Sequence, residues 1–315
     1  MRTKLGPTTS ENLRMACFTR LLSCLFLAAF SGPQFAADIV RLQGADPAKG
    51  PVPDFKMVVL DEALRRTEKD YGPFSYQYGT LVMTRERTLQ ELLLGTEQNL
   101  SIVATQPSWE AQLLTVRIPI DMGLSGLRVM LIHRDAEARL ATIRRVDELK
   151  KLQMGVVESW ATRQIAEAGG FTVAPAASYE AVLKMLLHGR SDYFPRSLGE
   201  AFLEFDVWRK TEPDLRVEQS LLLNLPLPTY VFVSPKAPRL AKRIEAGMAS
   251  MVRDGTLRRL VLQHNADMLA RARLCERRML NIENPLLSPE TPLKRKELWF
   301  DPRDPRNGLC KTAPR

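Results

Sequence analysis

The sequence predicts an α/β protein of two lobes, each a mostly parallel sheet flanked by helices, joined by a two-strand hinge. Strand and helix patterns alternate along the first part of the chain, and a second alternating series begins at Val146. Such alternation favours parallel sheets covered by helices. An apolar strand at 230–234 then returns from the second series, and the helix after it ends at Asp254-Gly255. We therefore expect the chain to cross between the lobes twice.

The first series is defined by apolar positions at helical spacing and by alternating or continuous apolar runs typical of strands. Gly95 marks the end of its second helix. The predicted elements, in chain order, are a strand at 39–43, helix 54–69, strand 76–83, helix 88–94 and strands 101–105, 116–120 and 127–133.

The second series follows the same pattern and ends at a crossing marked by Pro226 and Pro228. Ser197 and Glu200 have the spacing of a capping box, which predicts the start of a helix. The remaining predicted elements are helix 146–151, strand 154–157, helix 160–168, strand 171–174, helix 179–187, strands 192–194, 217–223 and 230–234, and helices 240–252 and 257–261.

The two ends of the chain differ from this body. Basic residues precede an apolar run at 21–30, and Ser31-Gly32-Pro33 interrupts it, a pattern typical of an export signal. After about Cys275 the chain is rich in Pro and Arg, which predicts an extended tail with Leu298, Trp299 and Phe300 packed on the body. The predicted organisation is a signal peptide at 1–37, lobe 1 at 38–129 and 229–275, lobe 2 at 130–228, and a tail at 276–315.

Composition excludes several function classes. The formal net charge is +9 over 315 residues, but Lys and Arg are scattered and form no stripe, so we expect no nucleic-acid partner. His133, His188 and His264 fall in different elements without metal-ligand spacing, and no nucleophile or phosphate-loop motif occurs. We therefore expect no enzyme activity, no cofactor and no metal.

Two of the four cysteines remain once the predicted signal is removed. Cys275 and Cys310 could pair in an oxidising compartment and tie the C-terminal tail back to the body. The alternative is one buried thiol and one exposed thiol in the tail.

Short motifs resemble one known family. They are the helix start VDELK at 146–150, QMGVVES at 153–159, HGRSD at 188–192 and the closing Asp254-Gly255-Thr256. Their order between about residues 53 and 275 resembles the periplasmic (extracellular) solute-binding proteins of family 3, with the type II periplasmic-binding-protein fold. The resemblance implies an exported monomer that closes two lobes over a small ligand by hinge motion near 130 and 228.

The sequence departs from this family at both charges that hold an amino acid. The family places an Arg just after a Thr-containing strand end, but the matching stretch, 105–110, has no Arg and Trp109 takes its place. The family also uses an Asp about five residues beyond the strand-opening Asp, and that count from Asp192 ends at Ser197. These differences argue against an α-amino-acid ligand.

Other polar groups still predict a site in the cleft. Free N–H groups at the start of the helix after Ser159 suit an anion, and the guanidinium of Arg196 matches a carboxylate or phosphate. Trp109 and Tyr193 could supply a stacking wall. The predicted ligand-binding residues are Thr105, Trp109, Ser159, Trp160, Thr162, Tyr193 and Arg196.

Each of these residues also has a structural interpretation. Ser159 and Thr162 could only cap the helix, and Trp160 could belong to the core. Arg196 could bridge to Glu200 or Glu204 without touching a ligand. Trp109 could fill the cleft.

The sequence therefore predicts an exported periplasmic solute-binding-like protein that takes a small polar or anionic ligand for transport or sensing. Its partner would be a membrane permease or a receptor. The alternative is an interaction protein of the same fold, with a degenerate cleft, that acts on a protein partner such as a sensor or permease.

Overall fold

The computed structural model describes residues 37–44, 54–81 and 83–310. The predicted export signal lies outside these residues except for its last position. The strands are β1 Asp38–Gln43, β2 Phe74–Gly79, β3 Leu100–Ala104, β4 Leu114–Val116, β5 Leu127–His133, β6 Met154–Val157, β7 Val173–Ala176, β8 Phe194–Ser197, β9 Leu215–Val217, β10 Leu221–Asn224, β11 Thr229–Val233 and β12 Arg278–Asn281. The helices are α1 Phe55–Arg66, α2 Glu68–Tyr71, α3 Arg85–Leu94, α4 Pro107–Glu110, α5 Glu137–Ala141, α6 Val146–Leu149, α7 Ala161–Ala168, α8 Tyr179–Leu187, α9 Leu198–Trp208, α10 Pro238–Arg253, α11 Thr256–His264 and α12 Ala266–Ala272.

The first lobe is built on strands in the order β2-β1-β3-β11-β4. β1 and β2 are parallel, and β11 is antiparallel to both β3 and β4. Asn99, just before β3, connects the two parts of this sheet. Its backbone N–H donates to the carbonyl of Arg41 at 3.2 Å and its side-chain amide donates to the carbonyl of Ile39 at 2.7 Å.

The second lobe repeats this arrangement in the order β7-β6-β8-β5-β9. β6 and β7 are parallel, and a parallel bridge between Met154 and Tyr193 joins β6 to the start of β8. β5 is antiparallel to both β8 and β9. In each lobe, the fourth strand in this order (β11 or β5) is antiparallel to both of its neighbours.

The antiparallel strand of each lobe comes from the chain that leaves the other lobe. β5 follows the first-lobe strand β4, and β11 returns after β10. The two crossings touch where Leu127 pairs with Asn224 and Leu225 N donates to Gly126 O at 3.0 Å. A Cβ atom on Gly126 would lie 2.3 Å from the carbonyl oxygen of Leu225, so only glycine permits this approach. The predicted class, α/β with two lobes of mostly parallel sheet and two crossing segments, is confirmed.

Several element boundaries differ from the predictions. The strand predicted at 217–223 is two strands, β9 and β10, separated by a turn. The carboxylate of Glu218 stabilises this turn by accepting from the N–H groups of Ser220 at 2.7 Å and Leu221 at 2.8 Å. In the region predicted as strand 116–120, Ile118 and Ile120 are buried but lie outside β4.

The C-terminal segment contributes a strand that the sequence did not predict. β12 pairs in parallel with β10, from Leu221 opposite Arg278 to Asn224 opposite Asn281. The crossing therefore has three hydrogen-bonded strands, β5, β10 and β12, where two were expected.

The rest of the segment returns to the first lobe. Leu298 and Phe300 are buried, and the N–H of Phe300 donates to the carbonyl of Met122 at 2.7 Å. Cys275 and Cys310 form a disulfide across a sequence separation of 35. Both ends of the segment are thus fixed to the body.

Gly247 provides a test of the packing of α1 on α10. A Cβ atom there would lie 2.1 Å from the carbonyl oxygen of Ala63. We expect Gly247→Ala to lower the free energy of unfolding by about 1–3 kcal/mol, because overpacking forces the helices apart. Gly199→Ala is the matched control, since its Cβ would meet only the sulfur of Met268 at 3.8 Å. Equal stabilities of the two variants in urea denaturation would contradict this packing.

Candidate ligand-binding cleft

A cleft of about 710 Å³ lies between the two lobes. It is formed where strands of both lobes end, which is where ligands bind in open α/β sheets. The residues that line it include Arg85, Thr105, Gln106 and Ser108 from the first lobe, Arg128 from the crossing strand β5, Ser159, Trp160, Thr162, Arg196 and Glu200 from the second lobe, and Asn284, Leu286 and Leu287 from the C-terminal segment.

Arg128 is the main basic group of this cleft that the sequence analysis missed. Its side chain is only 8% exposed, and its Nε has no hydrogen-bond partner in the described part of the chain. Burial lowers the pKa of Arg128 to about 10; Glu200 opposes this effect and Arg196 adds to it. Arg128 is thus a buried cation at neutral pH, and the residue lines the cleft. The available signal was a basic residue inside the apolar run of β5.

Arg85 brings a second basic group to the end of β3. Thr84 accepts a hydrogen bond from the N–H of Arg87 and so starts α3 three residues before the predicted helix. Arg85 Nη2 donates to the carbonyl of Ala104 at 2.8 Å. With its amide oxygen turned toward Arg85, Gln106 accepts from Arg85 Nε at 2.5 Å. Arg85 therefore lines the cleft beside the stretch 105–110, which itself has no Arg.

Arg196 lies in the cleft wall and is already paired. Its Nε donates to both carboxylate oxygens of Glu204, at 2.8 and 3.0 Å, and its Nη2 lies 3.3 Å from Glu200. Its guanidinium stacks on Trp160, 4.4 Å from the ring centroid. The structural alternative for Arg196, a bridge to these two acids, is therefore present, and its contact with a ligand stays a prediction.

The start of α7 faces the cleft with its first N–H groups available. Trp160 is the N-cap residue, and its side chain makes no capping hydrogen bond. Ser159 and Thr162 line the cleft on either side of it. Because the first N–H groups of a helix lack partners within the helix, this end is suited to bind an anion.

The remaining predicted site residues lie in different places. Thr105 lines the cleft, where its hydroxyl donates to the carboxylate of Glu110. Trp109 is 2% exposed and packs edge-on against Phe232 at 5.3 Å, while Tyr193 is 0% exposed in the second-lobe core. Neither ring reaches the cleft surface, so they do not form the expected stacking wall. Among the described residues that line the cleft, Trp160 is the aromatic one.

Glu200 is an acidic residue of the cleft whose charge partly offsets the charges of Arg128 and Arg196. Burial disfavours its charged form, but the charges of Arg196 and Arg128 and hydrogen bonds from Ser197 outweigh that effect and hold its pKa below the ordinary value. The backbone N–H of Ser197 donates to Glu200 at 3.2 Å, as in the predicted capping box of α9, and the hydroxyl of Ser197 donates to the same carboxylate at 2.6 Å. Glu200 is thus ionised at neutral pH.

Two sheets of the same strand order exchange their antiparallel strands through a shared crossing and enclose a cleft at their strand ends. This is the type II periplasmic-binding-protein fold. In the part of the chain that the structure describes, no helix is long and apolar enough to cross a membrane. Nor does any group of three or more His, Cys, Asp or Glu residues in that part have an arrangement that could hold a metal ion.

Comparisons with solved structures give distant similarities. No protein-family model and no curated protein sequence matches this chain. An ancestral arginine-binding protein bound to arginine is 15% identical, with a TM-score of 0.47 over 71% of this chain and 97% of that protein. The BvgS periplasmic VFT2 domain of Bordetella pertussis is 16% identical, with a TM-score of 0.48 over 72% of this chain and 92% of that domain. An amino acid ABC transporter substrate-binding protein from Streptococcus pneumoniae bound to L-arginine is 12% identical, with a TM-score of 0.46 over 72% and 93%.

Proposed function

We propose that this periplasmic-binding-protein-fold chain binds a small anionic ligand in its cleft and closes its two lobes over it in the periplasm. The liganded form would then be recognised by a membrane permease or a receptor. The observation that carries the proposal is Arg128, a cleft-lining cation whose buried Nε has no hydrogen-bond partner among the described residues.

An anion would satisfy groups on both sides of the cleft. Arg85 belongs to the first lobe, and the open start of α7 belongs to the second. Arg128 lies between them on the crossing strand. A ligand that contacts all three would bind the closed arrangement better than the open one and would shift the population toward it. The hinge in this proposal comprises residues 126–128 and 223–228, close to the predicted lobe boundaries at 129 and 228.

The chemistry of these donors favours a carboxylate or phosphate group. Guanidinium groups and helix N-termini both bind such anions through charge-assisted hydrogen bonds. A cleft of about 710 Å³ is within the range that encloses a small molecule. Glu86 and Glu200 also line it, so the bound anion must be small enough to avoid their carboxylates.

A thermal-shift screen of the chain from Asp38 onward tests the proposal. The panel contains dicarboxylates, inorganic phosphate, sugar phosphates, amino acids, neutral sugars and short peptides. A ligand at a hundredfold excess over its dissociation constant stabilises the folded state by about 2.7 kcal/mol. We expect selective shifts with anions. Shifts with neutral sugars alone would contradict an anion site.

Removing the charge of Glu200 is expected to strengthen anion binding, whereas removing the charge of a cleft arginine is expected to weaken it. Glu200→Gln removes a negative charge beside Arg128 and Arg196 and keeps an acceptor for Ser197. We expect anion affinity to rise about three- to tenfold, since a like charge near an anion costs roughly 1 kcal/mol in a partly solvated site. Isothermal titration calorimetry measures this.

The matched control is Glu180→Gln, an exposed acid in the first turn of α8. It should leave the affinity unchanged. Lower affinity in Glu200→Gln would instead indicate that Glu200 binds a cationic part of the ligand.

A second candidate function is an interaction protein with a degenerate cleft. Two observations favour it: Arg196 is already neutralised by acids, and Leu203 and Val207 on α9 are 69% and 70% exposed. These two side chains are four residues apart on one helix face, as in surfaces that contact another protein. A flat thermal-shift screen with cooperatively unfolding protein would support this function over the first.

A further inference from the structure

We propose that the C-terminal segment at 281–291 completes the ligand site and that Leu286 and Leu287 hold an apolar part of the anion bound at Arg128. The inference rests on the proposed function and names its ligand class, an amphipathic carboxylate. It assigns a binding role to a segment that follows the two lobes in the chain.

The segment reaches the cleft along the crossing strands. After β12, the N–H of Ile282 donates to the carbonyl of Asn224 at 2.9 Å. The side-chain amide of Asn284 then donates to the carbonyl of Pro226 at 2.9 Å, and its side-chain oxygen accepts from the N–H of Leu286 at 3.1 Å. These contacts fix the turn that places Asn284, Leu286 and Leu287 in the cleft wall.

A second set of contacts fixes the segment to the first lobe. Glu290 forms a salt bridge with Arg117, which also pairs with Glu110. Glu110 in turn accepts from the hydroxyl of Thr105, which lines the cleft. Burial opposes the charge of Arg117, but the two acids outweigh it and raise its pKa. The segment is therefore connected through one polar network to Thr105 in the first-lobe wall of the site.

The surface that Leu286 and Leu287 add is apolar and lines the same cleft as Arg128. Leu286 and Leu287 share the cleft with Leu227 and Ile165. A small second cavity adjoins it, lined by Arg128, Ile165, Phe171 and Ile282 among others. A ligand with its carboxylate at Arg128 and a hydrocarbon part against these side chains would use both surfaces. Inorganic phosphate would contact Arg128 but not the apolar side chains.

The experiment measures the dependence of affinity on hydrocarbon length. The probes are straight-chain monocarboxylates from acetate to octanoate, with inorganic phosphate and succinate as references, titrated by calorimetry. For the unmodified protein we expect affinity to rise about fourfold per methylene over the first few carbons, which corresponds to about 0.8 kcal/mol per buried methylene. In L286A/L287A the rise per methylene should fall to less than about half of this, because the wall is removed.

Control variants separate a local effect from a folding defect. Leu293→Ala changes an exposed leucine that follows this segment and lies outside the cleft lining, and it should keep the full rise. Leu287→Asn keeps the side-chain size, removes the apolar surface and should reproduce the lower rise. Unchanged affinity for the reference anions in every variant shows that the site remains folded.

The outcomes distinguish the inference from the proposed function. An equal rise in the unmodified protein and in L286A/L287A overturns the inference and leaves anion binding intact. Binding of phosphate or succinate without any monocarboxylate does the same. If the unmodified protein binds none of the probes, both the proposed function and the inference are overturned.

Discussion

Replacing Arg128 with Met is expected to weaken the binding of small anions by about 30-fold or more, since removing one partner of a buried charge interaction costs roughly 2–5 kcal/mol. Met fills similar space without a donor or a charge. The helix N-terminus and Arg85 would then have to hold the anion alone. Titration calorimetry with the anion found in the screen measures the loss.

The same substitution is expected to stabilise the ligand-free protein by about 1–3 kcal/mol, because it replaces a buried cation, whose Nε has no hydrogen-bond partner among the described residues, by an apolar side chain. The pKa of Arg128, lowered to about 10, gives the sign of its pH dependence. Below pH 10 both folded and unfolded states carry the proton, and the penalty is fully present. As the pH rises from 10 toward the ordinary guanidinium value, the folded state binds fewer protons, so stability increases. Arg128→Met should lack this increase.

Arg190→Met is the matched control, since Arg190 is exposed and outside the cleft. It should change neither affinity nor stability. Arg128→Met with unchanged anion affinity would contradict the proposed site. Loss of affinity together with a large loss of stability would instead assign Arg128 a structural role.

Removing the disulfide between Cys275 and Cys310 is expected to lower the free energy of unfolding by about 4 kcal/mol, from the chain entropy of a loop of this length. Urea denaturation of Cys275→Ser/Cys310→Ser measures the change. Dithiothreitol should destabilise the unmodified protein by the same amount and leave the double variant unaffected.

The bond also holds the segment that lines the cleft. We therefore expect faster amide hydrogen exchange in residues 278–300 after reduction, with little change in α10. Equal stability of the oxidised and reduced proteins would contradict a structural role for the bond.

The alternation of strands and helices, together with the order of the family-like motifs, predicted the two-lobed α/β class. Local signals also located the capping box at Ser197 and the strand β5. The sequence analysis missed the strand β12 because four residues are too few to show an alternation of apolar and polar side chains. Its pairing partner β10 lies 57 residues earlier at Leu221 and Arg278, so only tertiary structure specifies the contact.

The candidate site was less predictable because side-chain direction is not encoded locally. Trp109 was expected at the cleft from its position after a strand end. In the four-residue helix α4 it instead turns inward and packs on Phe232. Arg85 and Arg128 come from other elements and meet the site only through the fold. A basic residue inside an apolar strand was the one sequence signal that could have identified Arg128.

The three hydrogen-bonded crossing strands have a mechanical consequence. Hydrogen bonds between strands lie in the plane of the sheet, so such a band resists shear and in-plane rotation and bends readily across its face. At Gly126 and Leu225 the backbones of the two crossing segments are in contact, so the segments cannot slide past each other. We therefore expect the lobes to move by bending of this sheet about one axis. Twisting of one lobe against the other should be strongly limited. A sheet of three strands is stiffer than one of two strands. The angle between the lobes should therefore differ by a small, well-defined amount between the open and closed states.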